Sequence, residues 1–314
     1  EDIHYYPQPA PADLKERIGE IYGIDPSGVI LGNGTDELIE LITRVFLYPG
    51  RSLLISENSF VRYKMGGLLA GAEIIEVPQD NFKIDLKQIA EEVREDTALI
   101  FIDNPCNPTG RYLAYSEIEE FLNRLKEREM NPLIVFDEAY AEYAVARDYK
   151  SCASLVAENP AVAVLRTFSK IYGLAGLRMG YGLTSPIVAD LINRICPPFN
   201  TSRPAQAAAL AALEDDSFIK QVSEETYIEK KFLYGELDKL DIDYVPSEAN
   251  FILFRPERDV DEFSLDMLKA GVIVRPPAGY SLPGYIRVTV GQRAHNLIFI
   301  KALRKIQENN SESD

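Results

Sequence analysis

The sequence predicts an α/β protein with a mostly parallel large-domain sheet flanked by helices, plus a smaller α+β domain. Three observations predict it. Short apolar runs alternate with stretches of helical periodicity from Val29 to Leu165, the signature of an open sheet covered on both faces. Three of those runs break off into polar clusters, at Asp103, Asp137 and Arg166, as the carboxyl ends of strands lining a common ligand crevice would. Beyond Gly182 the character changes, and a second unit with its own strands follows. The expected division is 28–214 for the large domain and 1–27 with 215–314 for the small one, connected by a long helix at 216–240.

The elements follow from the spacing of apolar residues. After an extended lead, Ala12 to Tyr22 is a short helix. Val29-Ile30-Leu31 is a buried strand, and Leu38, Leu41, Ile42, Val45 and Phe46 mark the helix after it. Strands at Ser52–Ser56, Glu73–Val77, Ala98–Ile102 and Leu133–Phe136 alternate with helices at Arg62–Ala70 and Leu86–Arg94 and with one on which Ile118, Phe121, Leu122 and Leu125 share a face. Ser116-x-x-Glu119 reads as the capping box of that helix. Ala161 to Leu165 is the next parallel strand. Pro197-Pro198-Phe199-Asn200 breaks the chain ahead of a small-residue helix, Ala205 to Leu213, and a long amphipathic one, Phe218 to Leu240. The small unit has strands near Phe251–Phe254, Val272–Val274 and Ile286–Val290, and its tail after Lys305 is polar enough to be disordered.

Composition removes several classes of function. The 314 residues carry a formal charge of −16, which disfavours nucleic acid as a partner. No apolar run approaches the ~18 residues of a membrane span, and the opening Glu1–Tyr6 is unlike a secretory leader. Cys106, Cys152 and Cys196 are scattered without a CxxC spacing, which fits reduced thiols in the cytoplasm and argues against a zinc site. His4 and His295 accompany no nucleophile signature, so a hydrolytic triad is not expected.

The chemistry concentrates in Arg166-Thr167-Phe168-Ser169-Lys170 and the glycine-rich run to Gly182. A lysine at a buried strand end loses water, which favours the neutral amine that a Schiff base with an aldehyde requires. Thr167, Ser169 and Arg178 are donors suited to a phosphate nearby. The same letters also fit a surface Ser-Lys pair in a flexible loop. Gly34-Thr35-Asp36 opens a helix, where free N–H groups suit an anion, although capping by Thr35 or Asp36 explains it equally. Arg275 and Arg287 bracket a proline- and glycine-rich turn and could grip a carboxylate or phosphate together.

In order along the chain, Asn33-Gly34-Thr35-Asp36-Glu37, Asn104-Pro105-Cys106-Asn107-Pro108-Thr109-Gly110, Asp137-Glu138-Ala139-Tyr140, the 166–182 stretch, Pro198-Phe199-Asn200, Ala249-Asn250-Phe251, Val274-Arg275-Pro276 and Leu282 to Gly291 give a sequence that resembles the PLP-dependent transferases of fold type I, the aspartate-aminotransferase fold. More narrowly it resembles the histidinol-phosphate aminotransferases of histidine biosynthesis. The resemblance implies pyridoxal 5'-phosphate as cofactor. It implies that Lys170 forms the Schiff base and shuttles the proton, that Asp137 pairs with the pyridinium nitrogen, and that Asn107 and Tyr140 meet the phenolic oxygen. Phe60 would stack on the ring, unless it is only core packing. Gly34, Thr35, Asp36, Thr167, Ser169 and Arg178 would hold the phosphate. Tyr6 would reach that phosphate across a homodimer interface, with the same reservation.

The resemblance further implies that Arg287, assisted by Arg275, binds the anionic group of either substrate, histidinol phosphate or glutamate, in a ping-pong cycle. Family members carry an arm ahead of Tyr5-Tyr6 that folds over the site; that segment lies outside this sequence. Asn58 stands where proline is usual, and Cys106 where asparagine is common. Aromatic amino-acid aminotransferases and threonine-phosphate decarboxylases share the scaffold and are the alternatives. A non-catalytic cofactor-sensing domain is a third, disfavoured by the acidic balance.

Overall fold

A computed structural model describes residues 3–8 and 11–311. Helix α1 (Ala12–Tyr22) leads into strand β1 (Val29–Gly32), helix α2 (Thr35–Phe46), β2 (Ser52–Ser56), α3 (Val61–Leu69) and β3 (Glu73–Val77). A two-stranded ribbon, β4 (Gln79–Asp80) and β5 (Lys83–Ile84), precedes α4 (Leu86–Glu92), β6 (Thr97–Asp103), α5 (Tyr115–Glu127) and β7 (Leu133–Asp137). Then come β8 (Val162–Thr167), β9 (Gly180–Leu183), α6 (Pro186–Asn193), α7 (Arg203–Ala212) and the long α8 (Asp216–Lys239). The chain closes with β10 (Tyr244–Val245), β11 (Phe251–Phe254), α9 (Val260–Lys269), β12 (Ile286–Thr289) and α10 (Arg293–Ser311).

Seven strands form one sheet in the order β1-β9-β8-β7-β6-β2-β3. Pairing is parallel from β3 through β8, and β9 runs antiparallel to both its neighbours. Strand side chains alternate between faces, and two cores result. Leu54, Ile100, Ile102, Ile134 and Phe136 face α1, α4, α5 and α7. Leu53, Leu99, Phe101, Leu133 and Val135 face α2, α3 and α6. Burial on both sides is why these strands are continuous apolar runs. A separate antiparallel sheet, β10-β11-β12, packs with α8, α9 and α10 around Phe254, Phe263, Met267 and Phe299. No helix among the described residues is long and apolar enough to cross a membrane.

Several expectations differ from what the structure shows. Leu14 and Ile18 of α1 are buried in the core of the large sheet, so residues 12–22 pack there and not with the small unit. Helix α5 starts at Tyr115, and its amino end is held by Glu117, whose carboxylate accepts the Ala114 N–H at 2.8 Å, in place of a Ser116–Glu119 box. No strand forms at 272–274; the backbone there meets β12 only at Arg275 opposite Arg287. The tail expected to be disordered after Lys305 is helical through Ser311, with Ile306 buried. Strand β9 was not foreseen, because Gly180-Tyr181-Gly182 has too little apolar character to stand out.

That strand sets the geometry of the site, because Gly180 lies where three stretches of backbone converge. A Cβ at Gly180 would fall 2.8 Å from Thr35 N, 2.9 Å from Gly34 C and 3.2 Å from Arg166 O. Main chain on all sides cannot yield as a side chain would. Gly180→Ala should therefore lower the unfolding free energy by about 1–3 kcal/mol, measured by urea titration; an unchanged midpoint would show that β9 moves freely against the start of α2.

Candidate active site

The carboxyl ends of β6, β7 and β8 and the amino end of α2 enclose a cavity with about 570 Å³ of empty space, partly open to solvent. Thr35, Asp36, Phe60, Asn107, Asp137, Tyr140, Thr167, Ser169, Lys170 and Arg178 line it. Ten of the residues expected from sequence thus come together.

At one end is an anion cup. Gly34 is the residue before α2, with φ 77°, and no side chain caps the helix, so N–H groups of its first turn remain open to a ligand. A Cβ at Gly34 would meet the Arg178 guanidinium at 2.4 Å, so only glycine lets that charge come so close. Arg178 Nη1 donates to Ser169 Oγ at 3.3 Å, and Nη2 approaches Asp36 Oδ2 at 3.4 Å. Thr167 Oγ1 accepts the Ser169 N–H at 3.0 Å and fixes the turn before the lysine.

At the other end lie carboxylates. Asp137, the last residue of β7, is buried; Oδ2 accepts from the Tyr63 hydroxyl at 2.8 Å and Oδ1 from the Ala139 N–H at 3.1 Å. Burial lifts its pKa to about 6, against the pull of the Tyr63 hydroxyl and the Ala139 N–H. Asp103, its register partner on β6, is buried beside it. Burial lifts Asp103 to about 7; its bond from the Asn107 N–H opposes that rise and the charge of Asp137 adds to it. Lys170 is half-buried, with Nζ 5.2 Å from the centre of the Tyr140 ring, and Tyr140 packs edge-on against Phe251.

Beneath this turn a buried ion cluster locks β7 to β8. Arg166 meets Glu138 at 2.9 Å and Glu142 at 2.7 Å, and Glu138 also accepts from Ser151 Oγ and Cys152 N, each at 2.6 Å. With one guanidinium shared by two carboxylates, the cluster can hold the Asp137–Tyr140 turn rigidly; losing Arg166 would leave two buried carboxylates without a cation.

The remaining expected residues lie outside the enclosed space. Arg287 is joined to it by a hydrogen bond from Nη1 to Asn107 Oδ1, and its guanidinium sits 4.7 Å from the centre of the Phe251 ring. Arg275 is exposed and pairs with Arg287 through backbone bonds of 2.9 Å in both directions. Gly34 contributes its backbone conformation. Tyr6 is 79% exposed and stacks on Phe199 at 4.7 Å, away from the cavity of its own chain. Sequence reasoning missed Tyr63 as a site residue, and it placed Asp103 at a polar strand end of the crevice without giving it a role. Tyr63 lies in the first turn of α3, three positions after Phe60, and their rings meet edge-on at 5.7 Å. Asp103 closes an apolar strand as Asp137 does.

Comparison with known proteins agrees with this geometry. The family model for aminotransferase class I and II matches residues 1–303. The chain is 40% identical over 307 residues to histidinol-phosphate aminotransferase 2 of Carboxydothermus hydrogenoformans, covering 98% of this chain and 84% of the relative. It is 41% identical over 293 residues to histidinol-phosphate aminotransferase 1 of Dechloromonas aromatica, covering 93% and 80%. The solved histidinol-phosphate aminotransferase of Sinorhizobium meliloti in complex with pyridoxal-5'-phosphate is similar with a TM-score of 0.88 at 28% identity, covering 97% of this chain and 84% of that one.

The two carboxyls have a consequence for pH. Both hold protons in the folded protein at pH values where the unfolded chain has lost them, so the folded state binds more protons from about pH 4 to about pH 7. Stability of the ligand-free protein contributed by this pair therefore falls as pH rises through that window. Replacing both by asparagine should remove this contribution, on the order of a few kcal/mol at about 1.4 kcal/mol per pH unit for each group. Urea unfolding of both forms at several pH values between 4 and 8 checks it, and parallel pH profiles would refute it.

Proposed function

The chain belongs to the class I and II aminotransferases, and on that premise we propose that it is a pyridoxal-phosphate-dependent histidinol-phosphate aminotransferase. It transfers the amino group of histidinol phosphate to 2-oxoglutarate, giving imidazole-acetol phosphate and glutamate, and works as a cytoplasmic homodimer. The observation that carries the reading is the convergence of Lys170, Asp137, Asn107 and Tyr140 with the amino end of α2 on one cavity.

The residues fit pyridoxal 5'-phosphate. Asp137 is a buried carboxylate whose bonded neighbours are a hydroxyl and an N–H, so a protonated ring nitrogen is the cation that would keep it ionised. The open start of α2, with Ser169, Thr167 and Arg178, suits a phosphate. Phe60 would cover a ring face, and Asn107 and Tyr140 would meet the phenolic oxygen. When bound, the cofactor supplies an aldehyde that takes up the amino group and a conjugated ring that draws electrons from the substrate's reacting carbon. Lys170 Nζ would hold that aldehyde carbon at rest and then move the proton at the substrate carbon that carries nitrogen. Arg287, already bonded to Asn107, would take the phosphate of one substrate and the carboxylate of the other, with Arg275 beside it. Tyr6, exposed and outside its own cavity, is available to a partner's site; sedimentation at the mass of one chain would remove the dimer from this reading.

The test is direct. Purified protein supplied with cofactor, histidinol phosphate and 2-oxoglutarate should produce glutamate, and phenylalanine should be a poorer donor. Carbon dioxide from threonine phosphate without glutamate would make the enzyme a decarboxylase. Lys170→Ala should abolish turnover while far-UV circular dichroism stays native; near-normal turnover would show that Lys170 is not the reacting amine. Arg287→Ala should weaken both substrates by about 1.5–3 kcal/mol each, the worth of a charge-assisted hydrogen bond, read as kcat/KM. A loss confined to one substrate would mean that two separate groups bind the two anions.

A further inference from the structure

Asp103 is the carboxyl of the cavity to which the family resemblance gives no part. Its Oδ2 accepts the backbone N–H of Phe60 at 3.2 Å and that of Asn107 at 2.8 Å. The two donors stand on different segments, the turn entering α3 and the loop leaving β6, and both residues line the cavity. Oδ1 is buried without a hydrogen-bond partner. Asp103 and Asp137 are opposite each other in parallel register, so both carboxyls leave the sheet on one face.

We propose that Asp103 is a positioning residue for the cofactor, its Oδ2 tying the segment of Phe60 to the segment of Asn107 and so fixing the slot between them. The inference rests on the cavity being a pyridoxal-phosphate site. Two N–H donors sharing one oxygen cannot drift apart independently. Asn107 is also gripped by Arg287, so its placement links the ring site to the anion site. Asp137 cannot substitute, because its oxygens are occupied by Tyr63 and Ala139.

The tie does not require charge. The ionisable groups facing Asp103 are Asp137 on β7, Tyr63 on α3, Cys106 in the following loop and Tyr280 from the loop before β12. Burial and the Asp137 charge favour the protonated form. A proton on the unpartnered Oδ1 leaves Oδ2 an acceptor in either state. An asparagine offers the same single acceptor, whereas glutamate keeps the charge and moves the acceptor out by one methylene.

The experiment titrates cofactor-free wild type, Asp103→Asn, Asp103→Glu and Asp103→Ala with pyridoxal phosphate. Visible absorbance reports affinity, visible circular dichroism reports how the bound ring is held, and far-UV circular dichroism verifies folding. Asp103→Asn should stay within about threefold of wild type with the same visible dichroism. Asp103→Glu and Asp103→Ala should bind at least about tenfold more weakly and lose that signal. If Asp103→Ala does not fold, the order of the Asn and Glu variants decides. Folded Glu or Ala variants with wild-type affinity and dichroism would overturn the proposal, and so would an Asn variant as impaired as the other two. A wild type that develops no visible band would overturn the cofactor reading itself, a result distinct from normal wild-type uptake with unaffected variants.

Discussion

A carboxylate removed from water with no cation bonded to it is the constraint on which the rest of this site depends. Asp137 is 4% exposed, and what holds it is a phenol and one backbone N–H. Those donors reduce the cost of burial without cancelling it, and the group's pKa stays raised. Such an arrangement persists only if its surroundings are rigid. Tyr63 is rigid because its ring lies flat on Phe101 at 4.4 Å within 3° of parallel. The turn after Asp137 is rigid because Glu138, one residue on, is clamped by Arg166, Ser151 and the Cys152 N–H. The fold thus maintains an unsatisfied anion at the bottom of a slot, and a flat heterocyclic cation is the ligand that relieves it.

The same slot is where the two sheets communicate. Asn107 belongs to a loop of the large sheet and Arg287 to β12 of the small one, and a hydrogen bond joins them. Nearby, the Asn58 carboxamide accepts the Ser281 N–H at 2.6 Å and the Tyr280 hydroxyl accepts the Val61 N–H at 3.4 Å. Each contact pairs a residue beside the ring site with one beside the arginines. Any displacement of the small sheet must therefore alter the group expected to touch the ring's phenolic oxygen. Anion recognition and ring chemistry would be coupled through these few bonds. Asn58, which departs from the proline usual in the family, takes part in one of them and adopts φ 56° to do so, a conformation closed to proline.

How much of this was legible in the letters depends on what kind of residue carried the information. The buried parallel strands were readable because burial on two faces forces continuous apolar runs, and Asp137 and Lys170 were readable because a polar residue ending such a run is conspicuous. Strand β9 was not, since its glycines exist to let other backbones approach and leave no apolar trace. Tyr63 reads as core in sequence and is core in structure; its function rests on one hydroxyl whose target is 74 residues away. The disposition of α1 was misjudged for a similar reason. Leu14 and Ile18 declare an apolar face, and nothing in periodicity says which sheet that face will cover. The tail after Lys305 was misjudged because its polar letters concealed the buried Ile306 and the continuation of α10.

The two ends of the cavity are built from different material, and that difference orders what can vary. The anion cup is framed by main chain, the start of α2 and two glycines, at 34 and 180, that admit a guanidinium on one side and a strand on the other, with the Thr167, Ser169 and Arg178 side chains set into that frame. That frame can hardly be changed without breaking the packing of α2 on β9. The proposed distal anion site is side chain: Arg287 on a strand edge, and Arg275, exposed, reaching it by backbone pairing alone. A guanidinium binds phosphate and carboxylate with the same planar fork, so on the proposed reading this end would serve two substrates of different head group without rebuilding. Cofactor affinity should then be the conservative property of the scaffold, and substrate choice the adjustable one. Relatives of quite different specificity could share the first end and diverge at the second, which is why the cofactor is the easier inference from this chain and the substrate the one that needs the assay.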